Sequence, residues 1–223
     1  MIITIDGPAS AGKGTLANSL SKKYGLAYFD TGMVYRAVGL KLILNGTPPE
    51  TESEAIKIAK SLDFPEMMLL AKNPDFRSDV GGRAASIVAA IPAVRDALLK
   101  MQQDFANNPV FEDGTPANGA IYDGRDTGTV VCPNADLKLF VTATSEVRAE
   151  RRYKEFLSKG INKTFEEVLE QIKERDERDQ KRAAAPLKPA QDAIIFDTSL
   201  YDAQQVLNKV CEIIDNLQKK LEK

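Results

Sequence analysis

The chain has no histidine and no tryptophan, and only two cysteines among 223 residues. The missing histidine excludes Ser-His-Asp and Cys-His nucleophilic machinery. Cys132 and Cys211 share no C-x-x-C spacing, so neither a zinc site nor a disulfide framework is indicated, and both are expected to be buried structural residues. No apolar run approaches about 18 residues and no basic leader precedes the first strand-like residues, which predicts a soluble, cytoplasmic protein with no membrane partner. Charge of one sign is lacking too. Lys plus Arg number 30 against 32 Asp plus Glu, a net charge of −2 that gives no general attraction to nucleic acid. Any basic function must be local, and the chemistry must run on carboxylates, cations, metal ions and backbone groups.

At 223 residues the chain is long enough for one good core with small excursions. The stretch from Ile2 to Thr15 organises it. Ile2 to Ile5 have the composition of a short buried strand, and Leu16, Leu20 and Tyr24 recur at helical spacing, with Gly25 as a stop. Between them lie Gly7, Pro8, Ala9, Ser10, Ala11, Gly12, Lys13, Gly14 and Thr15. Strand, glycine loop and helix in that order give the G-x-x-x-x-G-K pattern a physical meaning: inward N–H groups, a helix N-terminus and one lysine wrap a phosphate chain. An ordinary tight turn would explain the glycines but not the lysine, the hydroxyl and the flanking elements. Gly14 stands where the general pattern has a hydroxyl, so Thr15 is expected to serve a Mg²⁺ shell, directly or through water.

Ala27 to Phe29 read as a second strand ending in Asp30-Thr31-Gly32, and the following helix carries Tyr35 and Arg36. Thr31, Tyr35 and Arg36 thus sit on the carboxyl side of a strand, where ligands bind in open α/β sheets. Glu52 to Leu62 read as a short amphipathic helix, Met67 to Ala71 as a strand, and Asn73 to Asp75 as a turn. Helical pattern returns from Asp79, and Pro92 fits the first turn of a further helix; Ser86 and Arg95 are its notable polar residues. Residues 107–118 read as an irregular loop. Ala120 to Tyr122 then form an apolar strand ending in Asp123-Gly124-Arg125-Asp126. A carboxylate at such a strand end is a second acidic group near the metal of a phosphate-loop protein, which makes Asp123 a metal candidate and sets Arg125 and Asp126 over the same crevice.

Leu137 to Val141 and Ala193 to Phe196 supply two more strands, and strands alternating with helices predict a mostly parallel sheet. Between them Arg148, Arg151 and Arg152 fall on one helix, and Arg175, Arg178 and Arg182 on another, where spacings of 3 and 4 predict one shared face and an Arg175–Asp179 pair. Such a stripe is either a solvated, salt-bridged face or an arginine lid closing over phosphates; the phosphate loop favours the lid. The last helix, with Val206, Val210, Ile213, Ile214, Leu217 and Leu221, is expected to be packing. The chain reads as a single domain, with excursions from the sheet at 41–95 and 148–186.

IDGPASAGKGT, FDTGMVYRAVG, YDGRDTGTVVCPNADLKLFVTA and ERDERDQKRAAAPLKPAQDAIIFDT resemble, in order and spacing, the signature segments of bacterial cytidylate (CMP/dCMP) kinases. The resemblance implies a P-loop NTPase fold of the nucleoside monophosphate kinase type, α/β with a five-stranded parallel sheet flanked by helices. It implies a monophosphate-binding insert at 41–95, an arginine lid at 148–186, and phosphoryl transfer from ATP to CMP or dCMP with Mg²⁺. Under it Gly7 to Thr15 cradle ATP, Arg36, Arg125 and Arg175 hold the acceptor phosphate or the moving group, and Lys13 and the lid arginines, Arg182 included, supply catalytic cations. Tyr35 walls the acceptor pocket, Ser86, Arg95 and Asp126 match the base-reading positions, and Asp179 matches the one that meets the sugar. Residues 63–78 are short for the family's β-rich insert, and 107–118 add a loop. The rivals are the same architecture with UMP or AMP as acceptor, and a P-loop nucleotide-hydrolysing switch; neither Asn-Lys pair, Asn162-Lys163 or Asn208-Lys209, is followed by the x-Asp of guanine-specific switches. No uncommitted apolar stripe is visible, so a monomer is expected.

Overall fold

A computed structural model describes residues 1–221, the side chains of 220 and 221 excepted, so the expectation for Leu221 lies outside the described side chains. Five parallel strands, β1 (Ile2–Asp6), β2 (Ala27–Asp30), β3 (Ala120–Gly124), β4 (Leu137–Thr142) and β5 (Ile194–Asp197), lie in the order β2-β3-β1-β4-β5. The central strand is the one that feeds the glycine loop. Ile3 and Ile5 face one way and are wholly buried, each contributing roughly 1.5–3 kcal/mol, against α1 (Lys13–Tyr24) and α9 (Ala203–Leu221). α1 stops where Gly25 enters the left-handed region at φ 63, as the sequence predicts.

The opposite face of the sheet is covered by α2 (Gly32–Leu44) and α6 (Pro92–Asn107). Phe29, Phe105 and Tyr122 stack there, and Tyr122 donates its hydroxyl to the Gln102 carbonyl at 2.7 Å. Pro92 occupies the first turn of α6, where a missing N–H costs nothing.

The two excursions are helical. From the end of α2 the chain runs through α3 (Glu52–Ser61), α4 (Phe64–Leu70), a 3₁₀ turn at Pro74–Arg77 and α5 (Asp79–Val88). The strand expected at Met67 to Ala71 is instead part of α4: the Asp63 carboxylate accepts from the Glu66 N–H at 2.8 Å, and Pro65 sits in the first turn. That start signal outweighs a five-residue apolar run, which has no period of its own. The second excursion is the hairpin of α7 (Ser145–Ser158) and α8 (Phe165–Lys181). It has its own small core of Ala149, Phe156, Val168 and Ile172, packed on Ala9 of the glycine loop. α8 opens with a capping box in which Thr164 and Glu167 satisfy each other's N–H groups. No helix among the described residues is long and apolar enough to cross a membrane.

Candidate functional site

The strand ends, the glycine loop and both excursions converge on one cleft. Gly7 lies so close to β4 that a Cβ there would stand 1.9 Å from the Val141 carbonyl oxygen, which fixes why the loop must begin with glycine. Lys13, the first residue of α1, folds its ammonium back onto the Pro8 carbonyl at 2.9 Å and stands 3.7 Å from Asp123. Gly14 faces Asp123 as well: a Cβ would be 3.2 Å from the carboxylate and 3.5 Å from the Tyr28 hydroxyl. The hydroxyl-free residue thus borders the acidic group. Thr15 is exposed and lines, with Ser10, Arg151, Tyr201 and Leu207, a cavity of about 480 Å³ beside the loop.

Above the loop stands a group of cations. Burial, and next the Arg125 guanidinium, lower the Lys13 ammonium to about 8; Arg175 adds to the effect. Arg175 is lowered to about 10, again by burial first and then by Arg125, with Arg36 and Arg152 contributing. Its Nε is buried without a hydrogen-bond partner. Arg36 donates to the Phe76 carbonyl at 2.9 Å, so it is held by the insert rather than by the phosphate loop, and burial with Arg77, Arg152 and Arg125 lowers it. Arg125 donates its Nε to Asp179 at 2.9 Å and Lys13 has Asp123 at 3.7 Å, while among the described residues Arg36 and Arg175 have no carboxylate at ion-pair distance. Burial pushes the Asp179 carboxyl up, but Arg125 and Arg175 pull it further down. Asp123 moves the other way, raised by burial against the pull of Lys13.

The neighbouring end is balanced. Arg95 donates to Asp126 at 2.5 Å and to the Ala89 carbonyl at 3.1 Å, and its guanidinium lies 5.1 Å from the centre of the Tyr35 ring. Arg182, at the end of α8, donates Nε to the Ala185 carbonyl at 2.6 Å while its Nη2, 3.6 Å from Asp126, has no hydrogen-bond partner. The buried Ser86 hydroxyl is likewise unpartnered. An open Arg182 donor thus stands beside the Asp126 carboxylate. Thr31 closes the floor, its hydroxyl donating to the Asp123 carbonyl at 2.9 Å.

Two expectations fail here. Arg178 is exposed and does not share the inward face: it lies about 60° around α8 from Arg175, on the side away from the buried Asp179. The Arg175–Asp179 pair is replaced by Arg125–Asp179, an ion pair between β3's end and α8 that sequence spacing cannot encode. Sequence reasoning also missed three braces. Arg148 is buried and holds Asp176 with both nitrogens at 2.9 and 2.6 Å, tying α7 to α8 and reaching the Ala9 carbonyl. Arg151 binds Thr198 at 3.0 and 2.8 Å. Asp6 takes three hydrogen bonds from Thr127 and Gly128. The signal that singles out Asp123, a carboxylate at the end of an apolar strand, applies to Asp6 equally.

Comparison with known proteins gives the same answer from another direction. A family model described as cytidylate kinase matches residues 3–216. A protein named cytidylate kinase from Paramagnetospirillum magneticum is 50% identical over 213 residues, covering 96% of this chain and 97% of that one. Another so named, from Rhodospirillum rubrum, is 48% identical over 216 residues with the same coverage. A crystal structure of an uncharacterized protein from Eubacterium ventriosum superposes with a TM-score of 0.52 at 14% identity, covering 97% of this chain and 98% of that one, which is a likeness of fold alone.

Proposed function

The chain belongs to the cytidylate kinase family, whose members phosphorylate CMP, and we propose that its cleft aligns ATP with CMP or dCMP for transfer of the γ-phosphoryl group. The observation that carries this reading is the contrast within the cleft. Burial, and with it the Arg125 guanidinium, lower Lys13, Arg175 and Arg36 alike, while Asp179 and Asp123 keep Arg125 itself high; such a group of buried cations suits two phosphate chains meeting between them. Beside them the Asp126 carboxylate is paired with Arg95 and faces the open donor of Arg182.

In this reading the glycine loop from Gly7 to Thr15 wraps the ATP phosphates with its N–H groups, and the cavity bounded by Thr15, Arg151 and Tyr201 takes the donor base. The insert, 41–95, and the lid, 148–186, close over the two nucleotides. The acceptor is a phosphate monoester whose oxygen already carries the electron pair for in-line attack, so no general base is required. A chain without histidine is therefore sufficient. Catalysis consists of alignment and charge: Lys13, Arg125, Arg175 and Arg182 suppress repulsion between the polyanions and stabilise the moving group. A closed lid keeps water from receiving it.

Among the described residues no group of three or more His, Cys, Asp or Glu side chains stands ready to cage a metal. That fits Mg²⁺, which binds through one or two protein ligands and the substrate phosphates. Asp123 offers the carboxylate and Thr15, exposed at the start of α1, the hydroxyl. The ion supplies charge neutralisation on the phosphate oxygens.

Base choice follows from polarity. Cytosine presents an exocyclic amine where uracil presents an oxygen, and the Asp126 carboxylate favours the donor and repels the acceptor. Arg95, Ser86 and Arg182 supply donors for the remaining ring and phosphate acceptors, Tyr35 packs on the base, Thr31 shapes the floor, and Asp179 meets the sugar. The enzyme works in this account as a cytoplasmic monomer with no nucleic-acid or membrane partner. ADP release with ATP, Mg²⁺ and each of CMP, dCMP, UMP and AMP tests it. Turnover strongest with the cytidine nucleotides is expected; equal turnover of UMP or AMP, or hydrolysis independent of any acceptor, overturns it.

A further inference from the structure

The Asp6 side chain is 3% exposed, at the carboxyl end of β1 and one residue before the glycine loop. Its Oδ1 accepts the N–H and the hydroxyl of Thr127, each at 2.8 Å, and its Oδ2 accepts the Gly128 N–H at 2.8 Å. Two of these partners are backbone N–H groups, which can only donate, one to each oxygen. Burial pushes this carboxyl up, and only the three hydrogen bonds oppose that cost. Hiding a carboxylate in this way is expensive, and a simple strand end has no need of it.

What the carboxylate holds is the turn that carries Arg125 and Asp126. Those two side chains diverge: Arg125 reaches Asp179 on α8, and Asp126 reaches Arg95 on α6. Their backbone is gripped on both sides. Upstream, a Cβ on Gly124 would stand 2.4 Å from the Thr127 methyl and 2.5 Å from the Thr31 hydroxyl; downstream, one on Gly128 would stand 2.8 Å from the Thr4 hydroxyl. Thr127 opens a single π-helical turn, Thr127–Val131, an uncommon geometry that leaves its first N–H groups free to point at Asp6.

We propose that Asp6 is a positioning residue that locks the Arg125–Asp126 turn in register with the phosphate loop, so that the acceptor is read at a set distance from the donor phosphates. The inference rests on the acceptor reading above. An asparagine at position 6 can accept from only one side and must turn an N–H toward Thr127 or Gly128, which sets donor against donor. The turn then loosens while β1 and the glycine loop retain their own contacts.

The test is steady-state kinetics of Asp6→Asn and Thr127→Val with CMP, UMP and ATP. For Asp6→Asn the KM for CMP rises about tenfold, the KM for ATP stays within about twofold, and the CMP-to-UMP ratio of kcat/KM falls about fivefold. Thr127→Val, which keeps the shape and deletes one donor, moves the same quantities by about threefold. Because Asp6 acts through Asp126, adding Asp6→Asn to Asp126→Asn lowers the CMP-to-UMP ratio no further than Asp126→Asn alone. If Asp6→Asn does not fold, Thr127→Val decides. Wild-type KM for CMP and base ratio in the folded variants, or equal losses toward CMP and ATP, overturn the proposal. A wild-type protein inactive toward CMP sinks the acceptor reading instead, so the two failures are distinct.

Discussion

The two ends of the cleft differ in how their charges are matched. At the proposed base-reading end Arg95 and Asp126 are buried as a pair, and Tyr35 covers the guanidinium. At the proposed phosphate end Lys13, Arg36 and Arg175 crowd together around Arg125; Arg125 holds Asp179 and Lys13 has Asp123, but among the described residues Arg36 and Arg175 have no carboxylate at ion-pair distance. The matched end keeps its central charges paired before any ligand arrives, leaving the Arg182 and Ser86 donors open, and in this account acts by shape and polarity. The unmatched end is complete only with phosphate present. In the free protein it costs stability, which the bound nucleotides return.

The largest effect expected from this contrast is on turnover. Arg175→Met removes a cation of the unmatched end and lowers kcat on the order of 10³-fold, measured by ADP release under saturating ATP and CMP. Its stability in the absence of nucleotide is unchanged or higher, since no close ion pair is lost. Arg148→Met inverts the pattern. Arg148 is a buried arginine paired with Asp176, so its loss destabilises the fold by about 3 kcal/mol in urea unfolding, and the phosphate end keeps its cations. Asp126→Asn acts on the matched end: the CMP preference over UMP falls about tenfold or more while the KM for ATP holds, and an unchanged ratio removes Asp126 from base reading.

The smallest effect is a pH dependence. Lys13 in the free protein is lowered to about 8 from 10.5. As pH rises through about 8 the ammonium is lost and kcat/KM for ATP declines, while the limb in kcat lies higher because bound phosphates raise the lysine. Stability runs the other way: between 8 and 10.5 the unfolded chain holds a proton that the fold has released, so this lysine favours the folded state increasingly as pH rises. Profiles of kcat/KM and of urea midpoints from pH 7 to 10 check both signs.

What could be read from the sequence was what is local. The glycine loop, the helix stop at Gly25 and the strand ends at Asp30 and Asp123 depend on neighbours a few residues away, and the structure has them where they were expected. The apolar run at Met67 to Ala71 reads as a strand because five residues carry no period; the Asp63 cap and Pro65 are the signal that decides for a helix. The braces were invisible for another reason. Arg148 and Asp176 stand 28 positions apart, and Asp6 and Thr127 are separated by 121, distances that only the fold closes. The exposure of Arg178 against the burial of Asp179 one residue on shows the limit of spacing alone.

The central claim is that the cations of the phosphate end are held together against their own repulsion for phosphate to fill. Thermal unfolding of the wild type and Arg175→Met, each with and without ATP plus CMP, tests it most directly. The account predicts that Arg175→Met melts no lower than the wild type when free, and gains much less than the wild type from the nucleotides. A free Arg175→Met that melts several degrees lower, with an undiminished gain on binding, would contradict it.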